Sequence, residues 1–256
     1  MDQNSPIGIF DSGAGGVSVL LTAVRMLPEE SYVYFADSAN APYGTRTKDE
    51  VLLLSRSVVD RLMRFSVKAI VIACNTATAD AAKELREIYD LPIIGMEPAL
   101  KPAASIRRDG QVLVLATPGT LRSEKYARLY AKYGAHAVSL PCPGLMEFVE
   151  RGEMDTPALH EYLTRLFASF DPDSVDAVVL GCTHYVFLRR AVAAHFTAST
   201  AIIDGNEGTI RQLQNVLNAR GLSAKGGRKG TVALYSSGNE ASLGVLQNLF
   251  KENIEL

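Results

Sequence analysis

Cys74 and Cys182 stand in nearly matching contexts. Each follows a short apolar run, Ala69-Ile70-Val71-Ile72-Ala73 in one case and Ala177-Val178-Val179-Leu180-Gly181 in the other. Each is followed by side chains that hydrogen-bond, Asn75-Thr76 and Thr183-His184. A single buried cysteine is ordinarily a small hydrophobe. Two at equivalent points, both with polar neighbours, point to thiol chemistry instead. A thiol where a strand ends and a helix starts is favoured as thiolate by the helix's positive end. Both thiols are therefore expected to ionise below their ordinary pKa of about 8.5. Two thiols across one cleft could be a redox couple, metal ligands, nucleophiles, or an acid and a base. A redox couple would ordinarily show CxxC, which is absent. Cys74, Cys182 and His184 could supply three metal ligands, but no second close-spaced ligand pair accompanies them, so no metal is expected. A hydrolytic nucleophile leaves the second cysteine unexplained. Acid–base work on opposite faces of one carbon uses both, one thiolate removing a proton and the other thiol returning one from behind.

Other residues could assist. Asp11-Ser12-Gly13-Ala14-Gly15-Gly16 follows an apolar run and leads into a helical pattern, so its backbone amides could bind an anion. A dinucleotide fingerprint would need glycine at position 18, which is Ser18, even though Asp37 lies near the place of a ribose-binding acid. No Walker lysine is present, and a carboxylate-binding turn is the better reading. Pro42-Tyr43-Gly44 reads as a turn whose tyrosine could close over a ligand. His184 could exchange a proton with Cys182. Glu150, on a helical pattern from Gly144 to Arg151, reads by itself as a solvated charge. Cys142, between Pro141 and Pro143, reads as structural, and His136, His160 and His195 form no constellation.

The elements that must position these groups alternate along 256 residues. Apolar runs at Ile7–Phe10, Tyr32–Ala36, Ala69–Ala73, Ile93–Ile94, Val112–Ala116, Ala137–Leu140, Ala177–Leu180, Ala201–Ile203 and Val232–Tyr235 read as buried strands. Amphipathic stretches separate them. One runs from Thr47 to Phe65 and opens on a Thr47/Glu50 capping box; another opens on Thr156-Pro157. Strands separated by helices imply an α/β class with parallel sheets. A weak repeat lays Ile7–Gly13 over Val112–Pro118 and Ala69–Cys74 over Ala177–Cys182, at offsets of 105 and 108. Two similar halves would then face each other across a cleft at their strand ends. Segments Asp37–Arg46 and Gly221–Gly230 read as loops, and Lys225, Arg228 and Lys229 in the latter as a solvated surface. The net charge of −2 offers no basic field for nucleic acid or anionic lipid. No apolar run is long enough to span a bilayer, and three sparse cysteines suit a reducing, cytoplasmic setting.

The ordered set Asp11-Ser12-Gly13-x-Gly15-Gly16, Pro42-Tyr43-Gly44, Ala73-Cys74-Asn75-Thr76-Ala77, Glu97-Pro98 and Gly181-Cys182-Thr183-His184-Tyr185 resembles the glutamate racemases of the aspartate/glutamate racemase family. The likeness extends from about residue 7 to the last helical pattern. It implies two pseudo-symmetric α/β lobes, each a mostly parallel sheet flanked by helices, with the active site between them. The expected lobes are residues 1–97 plus 208–256, carrying Cys74, and 98–207, carrying Cys182. The implied activity is cofactor-independent interconversion of L- and D-glutamate for peptidoglycan synthesis, without pyridoxal phosphate or metal. By matching position, Cys74 would deprotonate D-glutamate and Cys182 L-glutamate, with Asp11 and His184 as their polar assistants. Asp11, Ser12, Pro42, Tyr43, Gly44, Asn75, Thr76, Thr183 and His184 would hold the substrate. Asp37 and Glu150 match further acidic positions. Family members are commonly homodimers. Ala36, Ser38 and Met96 depart from the commonest family pattern and touch neither cysteine motif. A racemase of aspartate is the near alternative, although those enzymes usually carry Glu where this chain has His184. A non-catalytic anion-binding α/β protein is a more distant one.

Overall fold

The computed structural model describes residues 2–254; residues 1, 255 and 256, at the extremes of the first expected lobe, lie outside the described residues. All nine expected apolar runs form strands. In the first half, β1 (Ile7–Asp11), α1 (Val17–Met26), β2 (Tyr32–Ala36), α2 (Lys48–Met63), β3 (Ala69–Ile72), α3 (Asn75–Ile88) and β4 (Ile93–Gly95) follow in order. Next come α4 (Leu100–Ile106), β5 (Gln111–Ala116), α5 (Pro118–Arg122), α6 (Glu124–Tyr133), β6 (Ala137–Pro141), α7 (Leu145–Glu150), α8 (Pro157–Phe167) and β7 (Val175–Leu180). The chain ends with α9 (Arg189–Ala193), β8 (Ala201–Asp204), α10 (Asn206–Ala219), β9 (Val232–Ser236) and α11 (Glu240–Asn253).

Two parallel sheets result, in the orders β4-β3-β1-β2-β9 and β6-β5-β7-β8. Read in reverse, the second sheet is β8-β7-β5-β6, so β1 corresponds to β5 and β3 to β7, the pairing the sequence repeat implies. β9 is an addition to the first sheet alone. The expectation of uniformly buried strands fails for β6, β8 and β9, which are mostly half-buried. They are sheet edges, with a neighbouring strand on one side only. The central strands β1, β3 and β7 are covered on both faces and keep the continuous apolar composition of a parallel sheet.

Period-two alternation sorts the strand residues into layers. Ile7, Ile9, Tyr34 and Val71 of the first sheet and Leu113, Leu115 and Val178 of the second share one apolar core with α1, α7, α8, α10 and α11. Phe10, Phe35, Ile70 and Ile72 face the other way, onto Val51, Val58 and Leu62 of α2 and Ala81 and Leu85 of α3. Val112, Val114 and Val179 pack outward on Leu100 of α4 and Tyr126 of α6. The two halves are thus joined by a common middle layer.

Local signals set the helix starts. Thr47 Oγ1 accepts the Glu50 amide at 3.4 Å while Glu50 Oε2 accepts the Thr47 amide at 2.8 Å, a complete capping box. Thr156 caps α8 with Pro157 in its first turn. Among the described residues, no helix is long and apolar enough to cross a membrane.

Candidate active site

Parallel strands direct their carboxyl ends one way, so the residues after β1, β3, β5 and β7 converge. Asp11, Ser12, Cys74, Asn75, Thr76, Thr117, Thr120, Cys182, Thr183 and His184 line one tight cavity, together with Tyr43, Gly44, Met146 and Gly181. Both candidate thiols line it and are nearly buried, at 6% and 8% exposure. Larger surface clefts lie elsewhere and are lined by neither thiol.

The two thiols differ in setting. Cys74 is the N-cap of the long helix α3, and its Sγ accepts the Ala77 amide at 3.4 Å. It also lies 3.7 Å from Ser12 Oγ. Cys182 precedes only a short 3-10 turn at His184–Leu188, and its Sγ lies 3.6 Å from His184 Nδ1. The expectation that a helix terminus lowers the thiol pKa is therefore corrected for Cys74. Burial, reinforced by the Asp11 carboxylate, pushes the Cys74 thiol well above its ordinary range despite the Ala77 amide. Cys182 has an imidazole, not a helix end, as its polar partner. Cys142 is buried on the shared core, its carbonyl accepting from Tyr185 Oη at 3.1 Å, as a structural cysteine would be. Burial holds its thiol up at about 12.

The glycine turn after β1 is neither a dinucleotide loop nor an empty anion site. Three of its amides are turned onto the chain's own carboxylates. Ser12 N and Gly16 N donate to Asp11 Oδ1 and Oδ2 at 2.7 and 2.6 Å, and Ala14 N donates to Glu150 Oε1 at 2.6 Å. The glycines permit this approach. A Cβ on Gly13 would fall 2.1 Å from Glu150 Oε1, and one on Gly15 would fall 2.2 Å from His184 Nδ1. Thr183 Oγ1 reaches across from the other half to Asp11 Oδ2 at 3.1 Å. Burial raises the Asp11 pKa, with nearby His184 and these donors working against it.

Glu150 is not a solvated charge. It is mostly buried, and its Oε1 lies 2.7 Å from His184 Nε2. Burial opposes the imidazolium, but the hydrogen bonds and charges of Cys182 and Glu150 outweigh it and raise the His184 pKa well above the ordinary value. Glu150 is correspondingly lowered, burial being overcome by His184. A carboxylate only accepts, so Nε2 carries the proton that meets Glu150. Nε2 then cannot also accept from the Gly15 amide, 3.1 Å away. Nδ1 is left to face the Cys182 sulfur.

Asp37 is buried and is not part of the cavity wall. It accepts Tyr43 Oη at 2.6 Å and Ser237 Oγ at 2.7 Å, and both its oxygens accept from Asn40 Nδ2. It fixes the tyrosine that closes the cavity. Pro42 stands before that turn and is likewise absent from the wall. Asn75 Oδ1, in the cavity wall, is buried and has no hydrogen-bond partner among the described residues.

Sequence reasoning missed Thr117, Thr120 and Met146. Thr76 Oγ1 lies 3.2 and 3.3 Å from Thr117 Oγ1 and Thr120 Oγ1, joining the halves by hydroxyls. The repeat carried a signal for one of them, since its offset of 105 sets Thr117 over Ser12. Met146 had none; α7 brings it in from a strand-distant segment. Among the described residues, no group of three or more His, Cys, Asp or Glu side chains is arranged to hold a metal ion.

Comparison with known proteins bears on the fold and the family. A glutamate racemase of Clostridium novyi is 47% identical over 235 residues, 91% of each chain. One of Clostridium acetobutylicum is 44% identical over 238 residues, 92% of this chain and 93% of the relative. The crystal structure of the glutamate racemase isoform RacE1 from Bacillus anthracis superposes with a TM-score of 0.86 at 30% identity, covering 98% of this chain and 95% of the other. The family model described as Asp/Glu/Hydantoin racemase matches residues 11–213, and the chain belongs to that family.

Proposed function

We propose that this protein interconverts L- and D-glutamate by a two-base mechanism, supplying D-glutamate for the cell wall from the cytoplasm. The observation that carries the reading is the pair of thiols, Cys74 and Cys182, at repeat-equivalent strand ends on one closed cavity. The names of the similar proteins supply the substrate.

In the L-to-D direction, the Cys182 thiolate takes the α-proton, its charge matched by the His184 imidazolium that Glu150 supports. The electron pair left on the α-carbon delocalises into the adjacent carboxylate, and the Cys74 thiol delivers its proton to the opposite face. The product leaves Cys182 as thiol and Cys74 as thiolate. Exchange with solvent, or a D-to-L turnover, restores the first state. The raised Cys74 pKa suits the resting acid. Asp11 holds the Ser12 and Gly16 amides, and its carboxylate charge favours Cys74 as the neutral thiol that donates in this direction.

Ser12, the Tyr43–Gly44 turn with Pro42 before it, Asn75, Thr76 and Thr183 hold the carboxylates and ammonium in this reading. Asp37 and Glu150 act through Tyr43 and His184. The reaction needs neither pyridoxal phosphate nor metal, since both proton transfers are made by side chains. The reading includes the lobe boundaries 1–97 plus 208–256 and 98–207, no nucleic-acid or membrane partner, and a homodimer as the assembly.

The test is incubation with L-glutamate in deuterated water without added cofactor, following optical rotation and α-deuterium. Racemisation with deuterium in the product supports the reading; neither change sinks it. Cys74→Ser and Cys182→Ser should each abolish net turnover. L-aspartate in the same assay decides the near alternative, against which His184 already speaks.

A further inference from the structure

We infer that Gly119 is a positioning residue whose missing side chain lets the Tyr43–Gly44 turn of one half close directly onto the start of α5 in the other, shutting the cavity's mouth. A Cβ on Gly119 would lie 2.7 Å from the Gly44 carbonyl oxygen and 3.0 Å from its Cα. The obstacle is backbone, which cannot swing aside as a side chain end would. Thr117 packs beneath the same point, 3.1 Å from the position of a Gly44 Cβ. Arg122 Nη2 reaches the Gly44 carbonyl at 3.5 Å from the solvent side.

This contact is a wall between the cavity and water. Gly44 and Thr117 line the cavity from within. Gly119 is partly exposed and Arg122 and Thr45 are exposed, so the outer side is wet. The rest of the lining from Asp11, Ser12, Asn75, Thr183 and His184 is buried. A molecule the size of an amino acid enters or leaves where the covering is thinnest and where no covalent link joins the two sides. The Thr76, Thr117 and Thr120 hydroxyls meet beside this contact and hold it closed. Nothing in α5 itself calls for glycine, because alanine is the better helix former.

The inference rests on the proposed site, so its test reads the cavity as well as the reaction. In the full chain, Gly119→Ala is compared with Gly208→Ala, a glycine with nothing near its Cβ position. Iodoacetamide alkylation of Cys74 and Cys182 is followed by mass spectrometry, alongside kcat and KM for both glutamate enantiomers. Gly119→Ala should speed alkylation several-fold and raise KM about tenfold with a smaller change in kcat, the scale expected of an overpacked contact. Gly208→Ala should match the native protein. Gly44→Ala, whose nearest neighbours are atoms of the Thr117 side chain rather than backbone, should fall between them in alkylation rate. Native alkylation rates and KM in Gly119→Ala overturn the inference. Faster alkylation in a protein that does not racemise glutamate keeps the gate and removes the substrate reading. Should Gly119→Ala fail to fold, Gly44→Ala alone must still speed alkylation, and a native rate there overturns the inference too.

Discussion

Glu150 Oε1 stands 2.7 Å from His184 Nε2, while the other nitrogen of that ring faces the Cys182 sulfur at 3.6 Å. A carboxylate, an imidazole and a thiol are thereby in line on one side of the cavity. On the other side, Cys74 has only an amide and a hydroxyl, with Asp11 near by. The repeat places the thiols alike but gives them unlike partners: Thr76 occupies the position that His184 fills in the second half.

Glu150→Gln removes the charge that holds the imidazolium. His184 is raised in the folded chain, so its proton survives to higher pH than it would in a free imidazole. Without the Glu150 charge it leaves at lower pH, and the alkaline limb of the kcat/KM profile moves down in pH. At mildly alkaline pH, kcat/KM should fall about tenfold, equally in both directions because the equilibrium between enantiomers is fixed. The same pair contributes stability below the unfolded histidine's pKa that fades as pH rises through the folded one. The native melting temperature should therefore drop more on alkalinisation than that of Glu150→Gln. An unmoved pH profile would show that Glu150 only shapes the turn.

Much of this site was legible before the fold was known, and the reasons are physical. Cys74, Asn75, Thr183 and His184 announced themselves because strand ends in a parallel sheet are marked by an apolar run breaking into polar residues. Thr117 was legible in principle through the repeat. Glu150 and Asp37 were marked only by the family resemblance, because nothing local separates a buried carboxylate from a solvated one. Glu150 meets His184 34 residues away, and Asp37, besides its near neighbours Asn40 and Tyr43, meets Ser237 200 residues away. The lowering expected for the Cys74 thiol failed for a related reason. Helix proximity could be read locally, whereas burial and the Asp11 charge belong to the assembled cavity.

Gly15→Ala should abolish activity without unfolding the chain. The added Cβ would sit 2.2 Å from His184 Nδ1 and 2.6 Å from the His184 backbone nitrogen, so the ring and its turn must both move. A shift of that size breaks the alignment on Cys182 and should lower kcat by about a hundredfold or more. Circular dichroism close to native, with kcat within threefold, would show that the turn can yield at no catalytic cost.

Lys68 and Glu30 make a separate prediction at the far end of the first sheet. Lys68 Nζ lies 2.5 Å from Glu30 Oε2, with side chains 0% and 6% exposed. Lys68 also donates to the Gln3 carbonyl, and Glu30 Oε1 accepts the Ala224 amide at 2.8 Å. The pair ties the chain's first residues and the Gly221–Gly230 segment to the sheet. Lys68→Met strands a buried carboxylate and should cost about 3–5 kcal/mol in urea unfolding. Adding Glu30→Leu should regain much of that loss. Both variants should keep native kcat while folded, since Lys68 precedes β3 and Cys74 follows it. A fall in kcat without a fall in stability would contradict this separation.

Asp37 and Tyr43 decide whether the first half's acidic residue meets substrate or acts through the turn. Tyr43 Oη donates to Asp37 Oδ2 at 2.6 Å, and Asp37 itself is absent from the cavity wall. If its work is to hold Tyr43, then Asp37→Ala and Tyr43→Phe remove the same interaction. A hydrogen bond to a charged group contributes about 1.5–3 kcal/mol, so either change should raise KM roughly ten- to a hundredfold, with a smaller effect on kcat. The double variant should be no worse than the poorer single one, giving a coupling energy close to the single effect. Additive losses in this cycle would mean that Asp37 has a contact of its own with substrate in the working enzyme. Ser237→Ala supplies the internal control. It removes another donor to Asp37, from the segment after β9, and leaves the tyrosine bond in place. A milder rise in KM is expected there, through a less firmly held carboxylate.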